Sequence, residues 1–254
     1  MKQQLRILWL YPDILNLHGD RGNAMALVRV CGELGVEPHL TRVDRLGDPL
    51  DLESADLILI GDGELAVMGA IVEALRPYAQ KLDEMVDAGV PMLVTGTSAA
   101  IVARETLRTD SSSIPGLGLV DMTVVEREEI LGDDLILDAD GEELGGIQIR
   151  MTDMRLDLGE KPFAQVLYGV GNADLPEWDG ARRSNLVVTD LLGPVLTKNP
   201  WFARRLIDQA LIVKYGEPSP VLDKDLWTLE RKSAVVIRHF NASKDILPGT
   251  LRRL

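Results

Sequence analysis

The first half of the chain alternates short apolar runs with stretches of helical spacing. Continuous apolar runs are typical of strands that are buried on both faces of a sheet. Such strands are predicted at residues 5–11, 36–43, 56–60 and 91–95. Apolar residues that recur every three to four positions predict helices at residues 24–34 and 64–88, the second interrupted near Pro77. Strand and helix alternate with short turns, so the pattern predicts a parallel sheet covered by helices on both faces.

The second half is richer in strands and ends in helices. Further strands are predicted at residues 119–125, 135–137, 147–151, 163–168 and 186–189. Asn199 as N-cap and Pro200 at the first helical position predict a helix that runs to about residue 215. One more helix is predicted at residues 227–240. We therefore expect one α/β domain over residues 1–215 and a docked, helical C-terminal extension over residues 216–254.

Composition narrows the class of protein. The chain has 254 residues, of which 46% are hydrophobic and 26% charged, which is typical of a globular protein. Its net charge of −13 argues against nucleic-acid binding, which needs a basic surface. Neither an export signal nor an apolar run of about 18 residues is found, so we expect a cytoplasmic protein with no membrane insertion. The single cysteine, Cys31, excludes an internal disulfide framework and a multi-cysteine metal site.

Candidate chemistry is expected where loops leave the carboxyl ends of the strands, because ligand sites of open α/β sheets form there. Four loops qualify, at residues 18–23, 61–64, 96–100 and 189–194. Of the three histidines, His18 is the one that we expect at this edge.

Five segments of the chain carry a resemblance to a known family. They are LYPDILNLHGDRGN (10–23), IGDG (60–63), PGLGLVD (115–121), PFAQVLYGVGN (162–172) and GPVLTKNPWFARRLI (193–207). In this order they resemble the GatD family, the glutaminase subunits of lipid II isoglutaminyl synthase, within the cobyric-acid-synthase-like class I glutamine amidotransferases. The resemblance implies a flavodoxin-like three-layer α/β sandwich for residues 1–215, with no cofactor.

The resemblance also implies a chemistry that this chain departs from. In the family, a cysteine thiolate on a strand-to-helix turn attacks glutamine and a histidine moves the proton. Gly96 stands at the cysteine position and Leu192 at the histidine position. Cys31 falls on the inner side of the first helix, where a buried apolar role is expected. The sequence therefore predicts that the glutaminase centre is inert.

Three further positions differ from the family pattern. The oxyanion loop, Gly-Gly-Gly in the family, is here Gly61-Asp62-Gly63, and a carboxylate that points into the site would oppose a developing oxyanion. The family's Glu-Asn-His segment reads Gln148-Ile149-Arg150. Arg127 could replace the residue that binds the substrate carboxylate, although a solvated loop over residues 126–134 is the alternative.

Three functional hypotheses remain open. The first is a degenerate GatD-like subunit that pairs, as a heterodimer or larger assembly, with a MurT-like ATP-dependent ligase that amidates the D-glutamate of the lipid II stem peptide. The second is an amidohydrolase with Ser98 or Thr97 as a re-sited nucleophile, for which the competing interpretation of Ser98 is a helix N-cap. The third is a module that binds glutamine or another small metabolite.

Overall fold

The computed structural model describes residues 3–220 and 226–242, and this part of the chain forms two sheets and seven α-helices. In chain order the strands are β1 (Gln4–Leu10), β2 (Glu37–Val43), β3 (Leu57–Ile60), β4 (Met92–Thr95), β5 (Glu105–Leu107), β6 (Ser113–Pro115), β7 (Met122–Ala139), β8 (Glu142–Leu156), β9 (Ala164–Tyr168), β10 (Trp178–Asp179), β11 (Ala181–Arg183) and β12 (Leu186–Thr189). The helices are α1 (Arg21–Glu33), α2 (Leu65–Leu75), α3 (Ala79–Asp87), α4 (Ala99–Val102), α5 (Val195–Lys198), α6 (Pro200–Tyr215) and α7 (Thr228–Ala242).

The central sheet has the strand order β11-β12-β4-β3-β1-β2 and is parallel except at β11. Successive side chains of a strand point to opposite faces, and here each face has its own core. Leu8 and Leu10 pack with the helices α2, α3 and α4, whereas Ile7 and Trp9 pack with α1 and α6. The predicted parallel sheet with helices on both faces is confirmed, and so is the α/β sandwich class.

The second sheet has the order β10-β9-β7-β5-β6, with β8 paired to β7. The prediction of separate strands at residues 119–125 and 135–137 was wrong, because residues 122–125 and 135–137 belong to one 18-residue strand, β7, and residues 119–121 precede it. The acidic residues between them were expected in a solvated loop. They lie instead within β7, because pairing with β8 resumes after a bulge. The side chains of Glu128 and Glu129 remain exposed to solvent.

That bulge is large and lies beside Arg127. Glu126 pairs with Thr152 and Leu131 with Arg150, so the four residues 127–130 oppose a single residue of β8. A bulge of this kind interrupts the hydrogen-bond ladder and changes the direction of the side chains on the bulged strand.

The predicted helices are confirmed, including the interruption near Pro77, with one correction at Asn199. The interruption at Pro77 is a short 3-10 turn, Arg76–Tyr78, between α2 and α3. Asn199 precedes α6 as predicted, but its side chain forms no capping hydrogen bond. It spans to β8 instead, accepting from the N–H of Gly145 at 2.9 Å and donating to its carbonyl at 3.0 Å.

The predicted extension contains α7, which contacts the main body. The indole N–H of Trp227 donates to Glu33 at 2.8 Å, and Glu230 pairs with Arg29 at 2.8 Å. Residues 221–225 and 243–254 of the extension lie outside the described residues, and the boundary at residue 215 stays a prediction. Across residues 3–220 and 226–242, none of the helices combines the length and apolar character needed to cross a membrane.

Candidate functional site

Four loops meet at one edge of the central sheet. They follow β1, β3, β4 and β12, which are neighbours in the order β12-β4-β3-β1. Since parallel strands end at the same edge, these loops are adjacent there. They contain the positions that the sequence singled out: His18, the segment Gly61–Asp62–Gly63, Gly96 and Leu192.

Gly96 forms the sharp turn between β4 and α4. Its φ of +58° lies in the left-handed region, which favours glycine. A Cβ atom added at Gly96 would lie 2.5 Å from Oδ1 of Asp62. The turn therefore has the geometry of a nucleophile elbow, but the space for a nucleophilic side chain is filled by the Asp62 carboxyl.

Asp62 is fully buried and makes contacts on both of its oxygens. Oδ1 accepts the backbone N–H of Thr97 at 2.8 Å, and Oδ2 lies 3.2 Å from Nε2 of His18. Burial, and after it the nearby Asp20 carboxyl, raise the pKa of Asp62 to about 8 against backbone hydrogen bonds from Thr97 and Gly63. A pKa in this range favours the protonated carboxyl near neutral pH.

The backbone N–H of Thr97 lies at the position where a nucleophile elbow has an oxyanion donor. In a nucleophile elbow, the backbone N–H of the residue that follows the nucleophile is a donor to the oxyanion. Thr97 follows Gly96, and this N–H is already bound to Asp62. A single side chain thus occupies both the nucleophile space and an oxyanion donor.

Asp20 is a second buried carboxyl at this edge of the sheet. It is 3% exposed, accepts the hydroxyl of Thr95 at 2.9 Å and accepts the amide of Asn23 at 3.1 Å. Burial raises the pKa of Asp20 as well. A Cβ atom on Gly61 would lie 2.7 Å from the Asp20 Cβ, so the close approach of the two loops requires glycine there.

Ser98 and Thr97 are both buried, and the Ser98 hydroxyl donates to the carbonyl of Gly61 at 2.6 Å. The N-cap hydrogen bond expected of Ser98 is not formed. Within the described part of the chain, neither hydroxyl forms a hydrogen bond to a histidine, and His18 contacts Asp62 instead. A general base for either hydroxyl is thus not in place.

Leu192 is buried and bonded to β8 through its backbone, donating its N–H to the carbonyl of Ile147 at 2.7 Å. Asp190, two residues earlier, is 2% exposed and faces Arg150, whose Nε is 3.0 Å from Oδ2. Burial raises the pKa of Asp190. It also raises the pKa of the adjacent Asp179, to about 7, and the Asp190 carboxyl adds to that shift.

Arg150 is the centre of a buried ion-pair network. Its guanidinium contacts Asp153 at 2.8 Å and donates to the carbonyls of Val170 at 2.9 Å and Gly171 at 2.6 Å. Arg127 pairs with the second oxygen of Asp153. The structure therefore connects Arg127 to Asp190 through Asp153 and Arg150, and the Arg127 guanidinium is already paired.

Asp190 and Asp179 were not predicted as site residues, and Arg150 was predicted only as a departure from the family pattern. The sequence carries no signal for a buried Arg150, because the apolar residues Ile147, Ile149 and Met151 lie in the other register of β8. Among residues 3–220 and 226–242, no group of three or more His, Cys, Asp or Glu side chains could hold a metal ion.

Cys31 lies away from this site, on the buried face of α1. Burial raises the pKa of its thiol to about 12. The thiolate that a glutaminase needs does not form at such a position near neutral pH.

Two curated proteins are similar to the chain over most of its length. The lipid II isoglutaminyl synthase (glutamine-hydrolyzing) subunit GatD of Streptococcus pneumoniae is 28% identical over 219 residues, which cover 84% of this chain and 83% of that protein. Its namesake from Staphylococcus aureus is 24% identical over 208 residues, covering 82% and 84%. The resemblance to GatD is confirmed. No protein-family model matches the GatD-like chain.

A solved structure shows the fold of the GatD-like chain. A crystal structure of a glutamine amidotransferase superposes with a TM-score of 0.53 at 21% sequence identity, over 80% of this chain and 98% of that one. The predicted fold of the class I glutamine amidotransferase type is confirmed. The assignment of Gly96 and Leu192 to the cysteine and histidine positions stays a prediction, supported by the turn at Gly96.

Proposed function

We propose that this GatD-like chain is a non-hydrolysing subunit of a complex that amidates the D-glutamate of the lipid II stem peptide. Its partner is a MurT-like, ATP-dependent ligase, and the ammonia comes from solution or from another source. The observation that carries the proposal is the Asp62 carboxyl, 2.5 Å from the Cβ position of Gly96 and bonded to the Thr97 N–H.

Groups that amide hydrolysis requires are missing or already bonded in this chain. Hydrolysis of a carboxamide by this fold needs a nucleophile on the turn, a base beside it and free donors for the oxyanion. Gly96 has no side chain, Leu192 cannot carry a proton, and the Thr97 donor is bound to Asp62. The scaffold that presents these groups is nevertheless intact, which favours a retained structural or regulatory role.

The test measures glutamate released from glutamine by the purified chain, alone and mixed with the MurT-like ligase of the same organism. We expect no release above background in either case, and a stable complex with the ligase. The ligase reaction in the complex should proceed with ammonium chloride and not with glutamine. The matched positive control is the GatD subunit of Streptococcus pneumoniae assayed with its own ligase.

Two outcomes would contradict the proposal. Release that Ser98→Ala or Thr97→Ala abolishes would establish a re-sited amidohydrolase. Absence of a complex, together with calorimetric binding of glutamine, would make the chain a metabolite-binding module.

A further inference from the structure

Helix α7 docks on the main body by one face and leaves a groove along one flank. Besides the contacts of Trp227 and Glu230, Arg238 pairs with Glu143 at 3.2 Å, and Arg231 stacks 5.0 Å from the Trp201 ring. The groove between α7 and the segment that precedes α6 has a volume of about 370 Å³. Its walls include Gly145, Thr197 and Lys198 on one side and Leu229, Ser233 and Ile237 on the other.

The apolar wall of this groove continues onto the exposed surface of α7. Leu229 is 78% exposed and Val236 is 67% exposed. Leu229 and Val236 are seven residues apart and therefore lie along one side of the helix, as Ser233 and Ile237 do. Exposed apolar side chains that adjoin a concave surface are typical of an interaction site. We call Leu229, Val236 and the groove the α7 surface.

The charge at the α7 surface is opposite in sign to that of the whole molecule. The chain carries a net charge of −13. Lys198 lines the groove, and Lys232 is one turn from both Leu229 and Val236. Among the described residues, neither ammonium lies within 4.0 Å of a carboxylate. Glu230 also lines the groove, but it is paired with Arg29. Two lysines that have no carboxylate partner among the described residues, beside an apolar stripe, complement a partner that presents carboxylates beside apolar side chains.

We propose that the α7 surface binds an acidic amphipathic helix of the ligase-type partner. This inference rests on the proposed function, because it names the surface by which that complex forms. Apolar residues of the partner helix at positions i, i+3 or i+4, and i+7 fill the groove and cover Leu229 and Val236. Its acidic residues pair with Lys198 and Lys232.

A second copy of this chain fits the α7 surface less well. Arg231 and Arg238 of α7 contact the main body, so the basic side chains at the α7 surface itself are Lys198 and Lys232. Packing this surface against its own copy would bring the lysines of both copies together, which opposes association. The acidic partner is therefore the occupant that charge favours.

The experiment compares complex formation by the full chain and two double variants with the MurT-like ligase of the same organism, by titration calorimetry. Leu229→Ser/Val236→Ser removes the apolar stripe, and Lys198→Glu/Lys232→Glu reverses the charge. All four side chains lie at the surface or the groove, so both variants should keep the wild-type circular dichroism spectrum. We expect each variant to raise the Kd at least tenfold, and the charge reversal to abolish most of the salt dependence of binding.

Matched controls are Leu158→Ser and Lys161→Glu, which make the same chemical changes at exposed residues remote in sequence from α7. Both should bind as the wild type does. If the α7 variants also bind as the wild type does, the surface is wrong while the proposed function stands. If the wild type itself forms no complex, the proposed function fails. If the wild type is a dimer that Leu229→Ser/Val236→Ser converts to a monomer, the occupant is a second copy and the inference is overturned.

Discussion

At the scale of single residues, Gly96 and Asp62 determine each other's chemistry. Asp62 fits because Gly96 has no Cβ, and Gly96 tolerates its φ of +58° because it is glycine. Any residue that restored a nucleophile at the turn would collide with the carboxyl. The two residues are therefore interdependent, because the Asp62 carboxyl occupies the space that a side chain at position 96 would need.

A prediction follows for Gly96→Ala. The added methyl group meets Asp62 and adopts a disfavoured φ, so we expect a loss of at least about 2 kcal/mol in the free energy of unfolding. The measurement is urea denaturation. Gly32→Ala is the matched control, because its Cβ meets nothing within 4 Å on α1, and it should gain up to about 1 kcal/mol.

The contact between Gly96 and Asp62 can be tested by making Gly96→Ala in two backgrounds. In an Asp62→Gly background the cost of Gly96→Ala should fall, because the collision is gone while the strained φ remains. An equal cost in both backgrounds would show that the Asp62 carboxyl does not occupy the nucleophile space.

At the scale of elements, Arg150 joins the second sheet to the central one. It lies on β8, contacts the loop after β9 at Val170 and Gly171, and pairs with Asp190, which follows β12. Its side chain is fully buried. Asn199 forms a second connection between β8 and the start of α6. Polar contacts of Arg150 and Asn199 thus connect β8 to the elements that follow β9 and β12.

We expect Arg150→Met to destabilise the fold by about 3–5 kcal/mol, because it leaves buried carboxylates without their partner. Arg104→Met is the control, since Arg104 pairs with Asp157 at the surface, and such pairs contribute about 0–1 kcal/mol. Thermal and urea denaturation of both variants provide the comparison. Equal effects would mean that the buried network contributes no more than a surface ion pair.

For the molecule as a whole, several carboxyl groups of this acidic chain are buried. Burial raises the pKa of Asp20, Asp62, Asp179 and Asp190. In the unfolded chain an aspartate releases its proton near pH 4, as model peptides do, at about 3.9. The folded protein keeps these protons to higher pH, so folding binds protons between the two pKa values.

The sign of the pH dependence follows from this linkage. Where the native state binds more protons than the unfolded state, stability falls as pH rises. For Asp62, the stabilisation is fully present below pH 4 and is lost as pH rises toward its folded pKa of about 8. We therefore predict that the free energy of unfolding decreases from pH 5 to pH 8.5.

Asp62→Asn isolates this contribution, because the amide keeps the shape and cannot titrate. Urea denaturation at several pH values should show a weaker pH dependence for the variant, with the other buried carboxyls present in both proteins. Identical slopes would mean that Asp62 is already ionised in the folded state across this range.

The parallel sheet, the helices on its faces, the loops at its carboxyl edge and the resemblance to GatD could all be predicted from the sequence. These depend on hydrophobic periodicity and on contiguous segments, which are local properties of a chain. The sequence also shows that Cys31 is the one cysteine, and the placement of Gly96 and Leu192 at the cysteine and histidine positions of the family stays a prediction.

The contacts between distant side chains could not be predicted from the sequence. Asp62 reaches Gly96 across 34 positions of the chain, and Arg150 reaches Asp190 across 40. Neither contact has a sequence signal of its own, because β3, β4, β8 and β12 are brought together by the topology of the sheets. The same is true of the long strand β7, whose acidic residues predict a loop while pairing with β8 keeps them in a sheet.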